Sequence, residues 1–196
     1  MIIFFEGPDG SGKSTLLNNI DKHFDKYDIF KQLIIVSNTK SDIPTRPNCE
    51  IKRIGEKELY SKLKHMATCK DVLYLIDRGP ISDFIYRIFD KFPTVTTIKT
   101  WSNFINNYGH SIMTIFCMSE LSEAAMLARG DNNKIAIQKH SEITKAYEMF
   151  INLSTQIHPY NWVRYDFNKR GDFEATAYAI RKFCYCNMSN NSKRRQ

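Results

Sequence analysis

The stretch FFEGPDGSGKST at residues 4–15 decides the fold of this 196-residue chain. Apolar residues 2–5 predict a buried strand, which runs straight into a loop that contains three glycines. Residues 7–14 match the pattern G-x-x-x-x-G-K-[ST] at every defined position, and residues 15–24 follow with a helical pattern. Because a strand, such a loop and a helix together cradle phosphate, the sequence predicts a nucleoside triphosphate site.

The residue types in this loop explain how it would bind phosphate. Glycines let the backbone turn so that successive N–H groups point inward, and the helix adds its positive N-terminal end. Lys13 brings a positive charge to the β- and γ-phosphates, and Ser14 offers a hydroxyl ligand to Mg²⁺. The predicted phosphate-binding residues are Gly7, Asp9, Gly10, Ser11, Gly12, Lys13, Ser14 and Thr15. Asp9 is unexpected among them, because a carboxylate repels the anion that the loop binds.

A second motif, LIDRGPISDFIY at residues 75–86, lies at the end of a later apolar run. Asp77 and Arg78 leave this predicted strand together, near the phosphate loop if the two strands are neighbours. A carboxylate here can hold Mg²⁺ through water, and arginine binds phosphate oxygens in a bidentate manner. The pair therefore predicts a second anion beside the metal, although a structural Asp–Arg pair that caps a helix is the alternative interpretation.

The order of apolar and amphipathic segments predicts an α/β fold. Five short apolar runs predict strands at residues 2–7, 32–37, 72–77, 111–118 and 161–167. Helical patterns lie between and after them, at residues 56–66, 80–89, 98–108, 143–151 and 173–183, whereas the proline-containing residues 38–50 predict a loop. Almost wholly apolar strands separated by helices indicate a parallel sheet covered on both faces.

Composition limits the class of protein. Hydrophobic residues make up 42% of the chain, and no apolar run approaches the roughly 18 residues of a membrane span. The five scattered cysteines are typical of reduced thiols in a cytoplasmic protein. A net charge of +7 suits a nucleic acid partner or a site for polyanionic small molecules. We expect one domain at residues 1–186, followed by a disordered basic tail at residues 187–196.

Three stretches resemble thymidylate kinase and the wider nucleoside and nucleotide kinase group. They are the phosphate loop, DRGPIS at residues 77–82, which matches D-R-x-x-x-S, and residues 124–150, which resemble the mobile lid and the helix after it. The resemblance implies a three-layer P-loop kinase fold, with a five-stranded parallel sheet in the order 2-3-1-4-5 and helices on both faces. It also implies a lid at about residues 129–139 and, as in many family members, a homodimer.

The resemblance further implies the roles of individual residues. ATP would be the donor, with Mg²⁺ held by Ser14 and Asp77, and the acceptor would be a deoxynucleoside monophosphate, most simply dTMP. The implied catalytic residues are Asp9, Lys13 and Arg129, the last supplied by the lid, with Lys134 and Lys139 as weaker candidates. The implied acceptor-binding residues are Asp9, Arg53, Arg78, Ser82 and Tyr86. Ala124 and Ala125 stand where the family carries an arginine against adenine.

Other functions stay open at this point. A deoxynucleoside kinase would share the phosphate loop and an E-R-x-x-x-S-D motif, which residues 77–83 match except at the first position. It also needs a carboxylate after the second strand, for which Glu50 is the nearby candidate. A nucleic-acid-acting P-loop protein would explain the net charge, but no basic and aromatic residues interleave as such a surface requires. Phe84 and Tyr86 would either stack on a base or pack in the core. We expect an enzyme of the cytoplasm, in a cell or in a virus-infected host cell.

Overall fold

The computed structural model of the chain describes residues 1–24, 32–37, 49–52, 56–69, 71–90, 98–119, 137–157 and 161–193. Its centre is a six-stranded sheet in which every neighbouring pair of strands is parallel. The strands are β1 (Ile2–Glu6), β2 (Gln32–Ser37), β3 (Cys49–Lys52), β4 (Val72–Asp77), β5 (Ile112–Cys117) and β6 (Trp162–Tyr165). Their order across the sheet is β3-β2-β4-β1-β5-β6, so β1 lies between β4 and β5.

Six α-helices of the described residues connect or cover these strands. They are α1 (Lys13–Phe24), α2 (Glu56–Thr68), α3 (Pro80–Asp90), α4 (Ile98–Tyr108), α5 (His140–Ile157) and α6 (Asp172–Lys193). A short 3-10 helix, Gly109–Ser111, leads into β5. No helix among the described residues combines the length and the apolar character that crossing a membrane requires.

The central strand β1 shows why this chain forms three layers. All five of its residues are buried, and their side chains alternate between the two faces of the sheet. Ile3 and Phe5 pack in one cluster with residues of α1 and α6. Ile2 and Phe4 pack in another cluster with residues of α2, and the ring of Trp101 from α4 meets Phe4 edge-on at 5.5 Å.

A third apolar cluster joins α3 and α5 above β5. Its buried members include Ile81 and Ile85 of α3 and Ile143 and Tyr147 of α5. The ring of Phe84 meets Phe150 edge-on at 5.5 Å, so Phe84 packs between the two helices rather than standing free for a base. Helices of the described residues therefore cover both faces, and the carboxyl ends of the parallel strands lie at one edge of the sheet.

The predicted fold class is confirmed, and one strand was missed. The five predicted strands are β1, β2, β4, β5 and β6, and their order corresponds to the predicted 2-3-1-4-5. The additional strand, β3, pairs with β2 at the edge of the sheet, inside a segment for which a loop was predicted. It has four residues that alternate polar and apolar after two prolines, a pattern that is weak compared with the apolar central strands.

The last helix is longer than its sequence pattern suggested. The prediction ended the helix at residue 183, and α6 continues to Lys193. Ala177, Ile180 and Cys184 of α6 are buried against the sheet. The helical turns after Cys184 include residues 187–193, which belong to the segment predicted as a disordered tail.

Candidate functional site

The phosphate loop occupies the carboxyl end of β1, where three glycines adopt a positive φ. Gly7 has φ 148°, Gly10 has φ 77° and Gly12 has φ 84°. Gly7 is also tightly enclosed, because a Cβ at this position would overlap the carbonyl oxygen of Cys117 on β5. The two glycines that the motif specifies, Gly7 and Gly12, and the additional Gly10 all adopt angles that favour glycine.

Lys13 lies inside the loop, with only 6% of its surface exposed. Its ammonium donates to the carbonyl oxygens of Gly7, at 2.9 Å, and Pro8, at 2.6 Å. Burial lowers the pKa of Lys13 to about 8, and Arg78 acts in the same direction, whereas Asp9 and Asp77 oppose the shift. The loop thus holds a buried ammonium at the position that the motif assigns to phosphate binding.

The second motif lies beside this loop because β1 and β4 are neighbours. Phe5 pairs with Asp77 across the two strands, and the N–H of Arg78 donates to the carbonyl of Phe5 at 3.1 Å. Asp77 is buried, with 5% of its surface exposed, and Arg78 is only partly covered. The sequence predicted that both motifs would lie at one site if their strands were neighbours, and the structure fulfils this condition.

Arg78 also explains the acid in the phosphate loop. Its guanidinium forms an ion pair with the carboxylate of Asp9, and about a quarter of each side chain is exposed. The guanidinium carbon lies 4.8 Å from the centre of the Tyr86 ring, and the Tyr86 hydroxyl accepts the N–H of Asp9 at 3.0 Å. Asp9 and Tyr86 therefore both contact the cation, in a charge-assisted and a cation–π contact.

Arg78 has an unusual backbone. Its φ of 65° lies in the left-handed region, which is unfavourable for a residue with a Cβ, and it is the one non-glycine residue of the described chain with a positive φ. Such strain persists where surrounding contacts enforce it, and it concentrates at functional sites. The conformation turns the chain sharply between Asp77 and the first residue of α3.

Glu6, the last residue of β1, enforces this turn. Its carboxylate is fully buried and accepts the N–H groups of Gly79 at 3.1 Å, Ile81 at 3.2 Å and Ser82 at 2.9 Å. The Ser82 hydroxyl donates to the same carboxylate. Glu6 thereby caps the N-terminus of α3 from a distant strand. Burial raises the pKa of Glu6 to about 7, against the opposing effect of its hydrogen bonds from Ser82 and Ile81.

The capping contact continues into α5. The hydroxyl of Tyr147, which is fully buried, lies 2.7 Å from the Ser82 hydroxyl. Burial raises the pKa of Tyr147 well above its usual value, so this phenol stays protonated. Ser82, which the sequence placed with the acceptor-binding residues, is thus buried and hydrogen-bonded to Glu6 and Tyr147.

On the other side of the loop, Phe167 packs against Gly12. A Cβ on Gly12 would lie 2.7 Å from Cδ1 of Phe167, although 40% of the Phe167 surface is exposed. The N–H of Phe167 donates to the buried hydroxyl of Ser119 at 2.7 Å. Asp166 stabilises the following turn, because its carboxylate accepts the N–H of Asn168 at 2.9 Å. An aromatic face therefore borders the phosphate loop.

The available oxygen ligands fit a hard divalent cation. Ser14 is exposed at the first turn of α1, and Asp77 is a buried carboxylate at the end of the strand next to β1. Hydroxyl, carboxylate and water oxygens are the ligands that Mg²⁺ prefers. No cluster of three or more histidine, cysteine or acidic residues suited to a protein-only metal site occurs in the described part of the chain.

Several predicted site residues lie outside the described residues. They are Arg53, Arg129 and Lys134, together with the first part of the predicted lid, residues 129–136. Lys139 is described and forms an exposed ion pair with Glu142 at 2.9 Å. The roles of all these residues stay predictions.

Sequence reasoning missed three residues of the site: Glu6, Tyr147 and Phe167. Glu6 was visible as a single acid at the end of an otherwise apolar strand, and Tyr147 as a polar-tipped residue within the apolar stripe of α5. Phe167 was assigned to the last strand, although the turn residues N-K-R-G follow it directly. Each signal is weak alone, because its meaning depends on which strands are neighbours.

Comparison with known proteins shows similarity in structure and not in sequence. No protein-family model matches the chain, and no curated protein matches its sequence significantly. The crystal structure of the YorR protein from Bacillus subtilis, in complex with phosphorylated GDP, is similar with a TM-score of 0.61 at 18% identity. The match covers 97% of this chain and 98% of YorR.

Two further structures are more distant. Thymidylate kinase from Ehrlichia chaffeensis matches with a TM-score of 0.43 at 11% identity, covering 93% of this chain and 96% of the enzyme. A GTPase from Pyrococcus abyssi matches with a TM-score of 0.40 at 14% identity, covering 96% and 97% of the two chains. The similarity to YorR, the phosphate loop and the strand order together show that this chain has the P-loop kinase fold.

Proposed function

We propose that this chain is a nucleotide kinase that transfers the γ-phosphoryl group of ATP to a deoxynucleoside monophosphate. The first candidate for the acceptor is dTMP. The observation that carries the proposal is the Arg78 guanidinium, which Asp9 and Tyr86 hold beside the phosphate loop on a strained turn.

Two separately held cations suit transfer between two anions. Lys13 sits inside the phosphate loop at the end of β1, and Arg78 sits at the end of β4, so different elements position each charge. Phosphoryl transfer depends mainly on in-line positioning and on neutralising charge. A monophosphate acceptor is already an anion, so the reaction needs no strong base.

Ser14 and Asp77 would hold Mg²⁺, with water completing its ligands. When bound there, the ion would supply positive charge that neutralises the donor phosphates. Lys13 would bind the same phosphates from within the loop. Arg129 would contribute a further positive charge to the transferring group, as its place in the sequence suggests.

Phe167 supports a donor with a flat base. Its exposed aromatic ring borders Gly12, one residue before the lysine that binds the donor phosphates. Stacking on such a ring binds a purine without hydrogen bonds that read its identity. This position offers a replacement for the adenine-contacting arginine that Ala124 and Ala125 do not supply.

The backbone register argues against the alternative of a deoxynucleoside kinase. Glu50, its candidate base, pairs with Ile34, and Ile34 pairs with Tyr74, three residues before Asp77. At about 3.3 Å per residue, the Glu50 backbone lies about 10 Å below the catalytic edge of the sheet. This placement supports an acceptor that needs no carboxylate base.

An acceptor panel tests the proposal. Wild-type protein with ATP and Mg²⁺ is assayed for ADP formation with dTMP, dGMP, dCMP and dAMP, with the four nucleosides, and with a 5′-hydroxyl oligonucleotide. The guanine nucleotide bound in YorR is the reason to include dGMP in the panel beside dTMP. We expect turnover with at least one monophosphate; turnover confined to nucleosides or oligonucleotide would overturn the proposal, as would no turnover at all.

A further inference from the structure

The turn that carries Arg78 is held by a chain of buried polar groups that reaches from β1 to α5. Its members are Glu6, Ser82 and Tyr147, which come from three different elements. None of the three is exposed enough to touch a substrate, since their exposed fractions are 0%, 3% and 0%. Any effect of these three residues on a substrate must therefore be transmitted through other residues.

The direction of the hydrogen bonds follows from their chemistry. A serine hydroxyl has one proton, and Ser82 donates it to the Glu6 carboxylate. Tyr147, at 2.7 Å, must then donate its own proton to the Ser82 oxygen. The chain of bonds runs from Tyr147 through Ser82 to Glu6, and the charge at its end strengthens both links.

The same contacts impose the strained backbone of Arg78. Glu6 accepts N–H groups from Gly79, Ile81 and Ser82, immediately after Arg78, and Phe5 accepts the N–H of Arg78 itself. A φ of 65° is sterically unfavourable for a residue with a Cβ, so these hydrogen bonds must hold the turn. Ser82 is the point at which Tyr147 joins them.

The guanidinium of Arg78 also depends on α3. Tyr86, whose ring lies under the guanidinium, follows Ser82 by four residues and so lies one turn later on the same side of α3. A shift of the N-terminal turn of α3 would move both the backbone and the aromatic support of Arg78. Through α3, Tyr147 of α5 therefore influences where the Arg78 guanidinium lies, although the two residues are far apart in the chain.

We propose that the hydroxyl of Tyr147 is a positioning group that acts through Ser82 and Glu6 to set the Arg78 turn, and with it the affinity for the acceptor phosphate. The consequence for the acceptor rests on the proposed function, whereas the coupling of α5 to the turn does not. The test therefore has one arm without chemistry and one arm with it.

The first arm measures backbone hydrogen exchange in the nucleotide-free protein at about pH 8, where Glu6 is ionised. Wild type is compared with Tyr147→Phe, and with Tyr74→Phe as the control, because Tyr74 is a buried tyrosine of β4 outside the network. We expect faster exchange at the amides of Gly79, Ile81 and Ser82 in Tyr147→Phe alone. Unchanged exchange at these amides, or equal acceleration in the control, would overturn the coupling.

The second arm measures steady-state kinetics with an acceptor identified by the panel. Losing one buried hydrogen bond should raise the acceptor KM about three- to tenfold in Tyr147→Phe, with the ATP KM within about twofold of wild type. The Ser82→Ala enzyme should show a larger effect that adding Tyr147→Phe does not increase, because the phenol acts only through Ser82. If the fold-changes of Ser82→Ala and Tyr147→Phe multiplied in the double variant, or if the KM values for acceptor and ATP rose equally, Tyr147 would have only a structural role.

The two arms separate the possible failures. If wild type phosphorylates no acceptor, the proposed function fails and the exchange arm alone decides the coupling. If acceptor turnover is present and the exchange rates match between wild type and Tyr147→Phe, the coupling fails and the kinase assignment stands.

Discussion

Two turns at the carboxyl edge of the sheet solve the same geometric problem in different ways. The turn after β1 uses three glycines at positive φ, whereas the turn after β4 places Arg78 at φ 65°. The glycine turn requires little from the rest of the molecule, because its residues adopt these angles without a steric penalty. The arginine turn is held by the Glu6 carboxylate, which belongs to another strand.

The difference shows where each kind of turn is useful. A phosphate loop binds through backbone N–H groups, so losing side chains at its bends removes no binding group. Under the proposed function, the second turn presents a guanidinium to the acceptor, and glycine has no such group. A strained residue held by distant contacts is therefore the solution where the bend itself carries the functional side chain.

The largest effect should come from adding a Cβ to the glycine turn. Gly7→Ala would push a Cβ into the Cys117 carbonyl, and we expect a loss of about 3 kcal/mol or more in the free energy of unfolding. Gly171→Ala is the matched control, since Gly171 has φ 86° with no atom within 4 Å of the added Cβ. The Gly171→Ala variant should lose only about 1–2 kcal/mol in the free energy of unfolding. Denaturant unfolding measures both variants. Equal losses would mean that the enclosure of Gly7 is unimportant.

The next effect concerns the support of the arginine turn and depends on pH. The Glu6 pKa is raised to about 7 from an ordinary value of 4.5, so the folded state binds the proton more tightly. Proton binding by Glu6 therefore adds up to about 3 kcal/mol to the free energy of unfolding. This contribution is fully present below pH 4.5 and is lost as the pH rises through 7.

The free energy of unfolding of wild type minus that of Glu6→Gln, measured across this range, isolates the effect. We expect the difference to decline with rising pH, because the amide of the variant cannot titrate. A flat difference would show that the hydrogen bonds from Gly79, Ile81 and Ser82, together with the nearby Arg78, keep Glu6 ionised throughout.

Changing Arg78 itself would separate its backbone from its charge. Arg78→Ala and Arg78→Gly both remove the cation, and each should lower kcat/KM for the acceptor about ten- to hundredfold. Only glycine relieves the strain, so Arg78→Gly should be about 1 kcal/mol more stable than Arg78→Ala. Acceptor kinetics unchanged in both variants would make Arg78 structural, and equal stability would mean that the turn is not strained.

The smallest effect should fall on the donor side of the glycine turn. Removing the ring in Phe167→Ala should raise the ATP KM about three- to tenfold, with the acceptor KM unchanged. Tyr178→Ala is the control, because Tyr178 is an exposed aromatic residue of α6. A normal ATP KM in Phe167→Ala would remove this ring from the donor site.

The fold was largely predictable because each central strand carries its own signal. Five apolar runs, with helical patterns between and after them, were enough to predict the parallel sheet, and the strand order followed the family resemblance. The edge strand β3 escaped prediction, since a strand that pairs on one side can be short and half polar. The extension of α6 to Lys193 also lacked a signal, because polar residues follow its last buried turn.

The site was predictable only in part. The loop residues and the Asp77–Arg78 pair could be proposed as site residues because each motif is contiguous in the chain, and the structure places the two motifs at the ends of neighbouring strands. Ser82 and Tyr86 were assigned to the acceptor, and the structure places Ser82 in the buried network and Tyr86 under Arg78. The contacts of Ser82 and Tyr86 involve residues outside α3, and no local sequence pattern predicts such contacts.

The sequence by itself determined the phosphate loop, since glycine, lysine and serine at fixed spacing specify a backbone shape and a charge without help from distant residues. Only the tertiary structure decided what Asp9 and Glu6 do. Placing β4 beside β1 brings Arg78 to Asp9 across 69 residues and brings Ser82 to Glu6 across 76. The acid in the phosphate loop is a partner for a cation, and that partnership exists because two parallel strands end at the same edge.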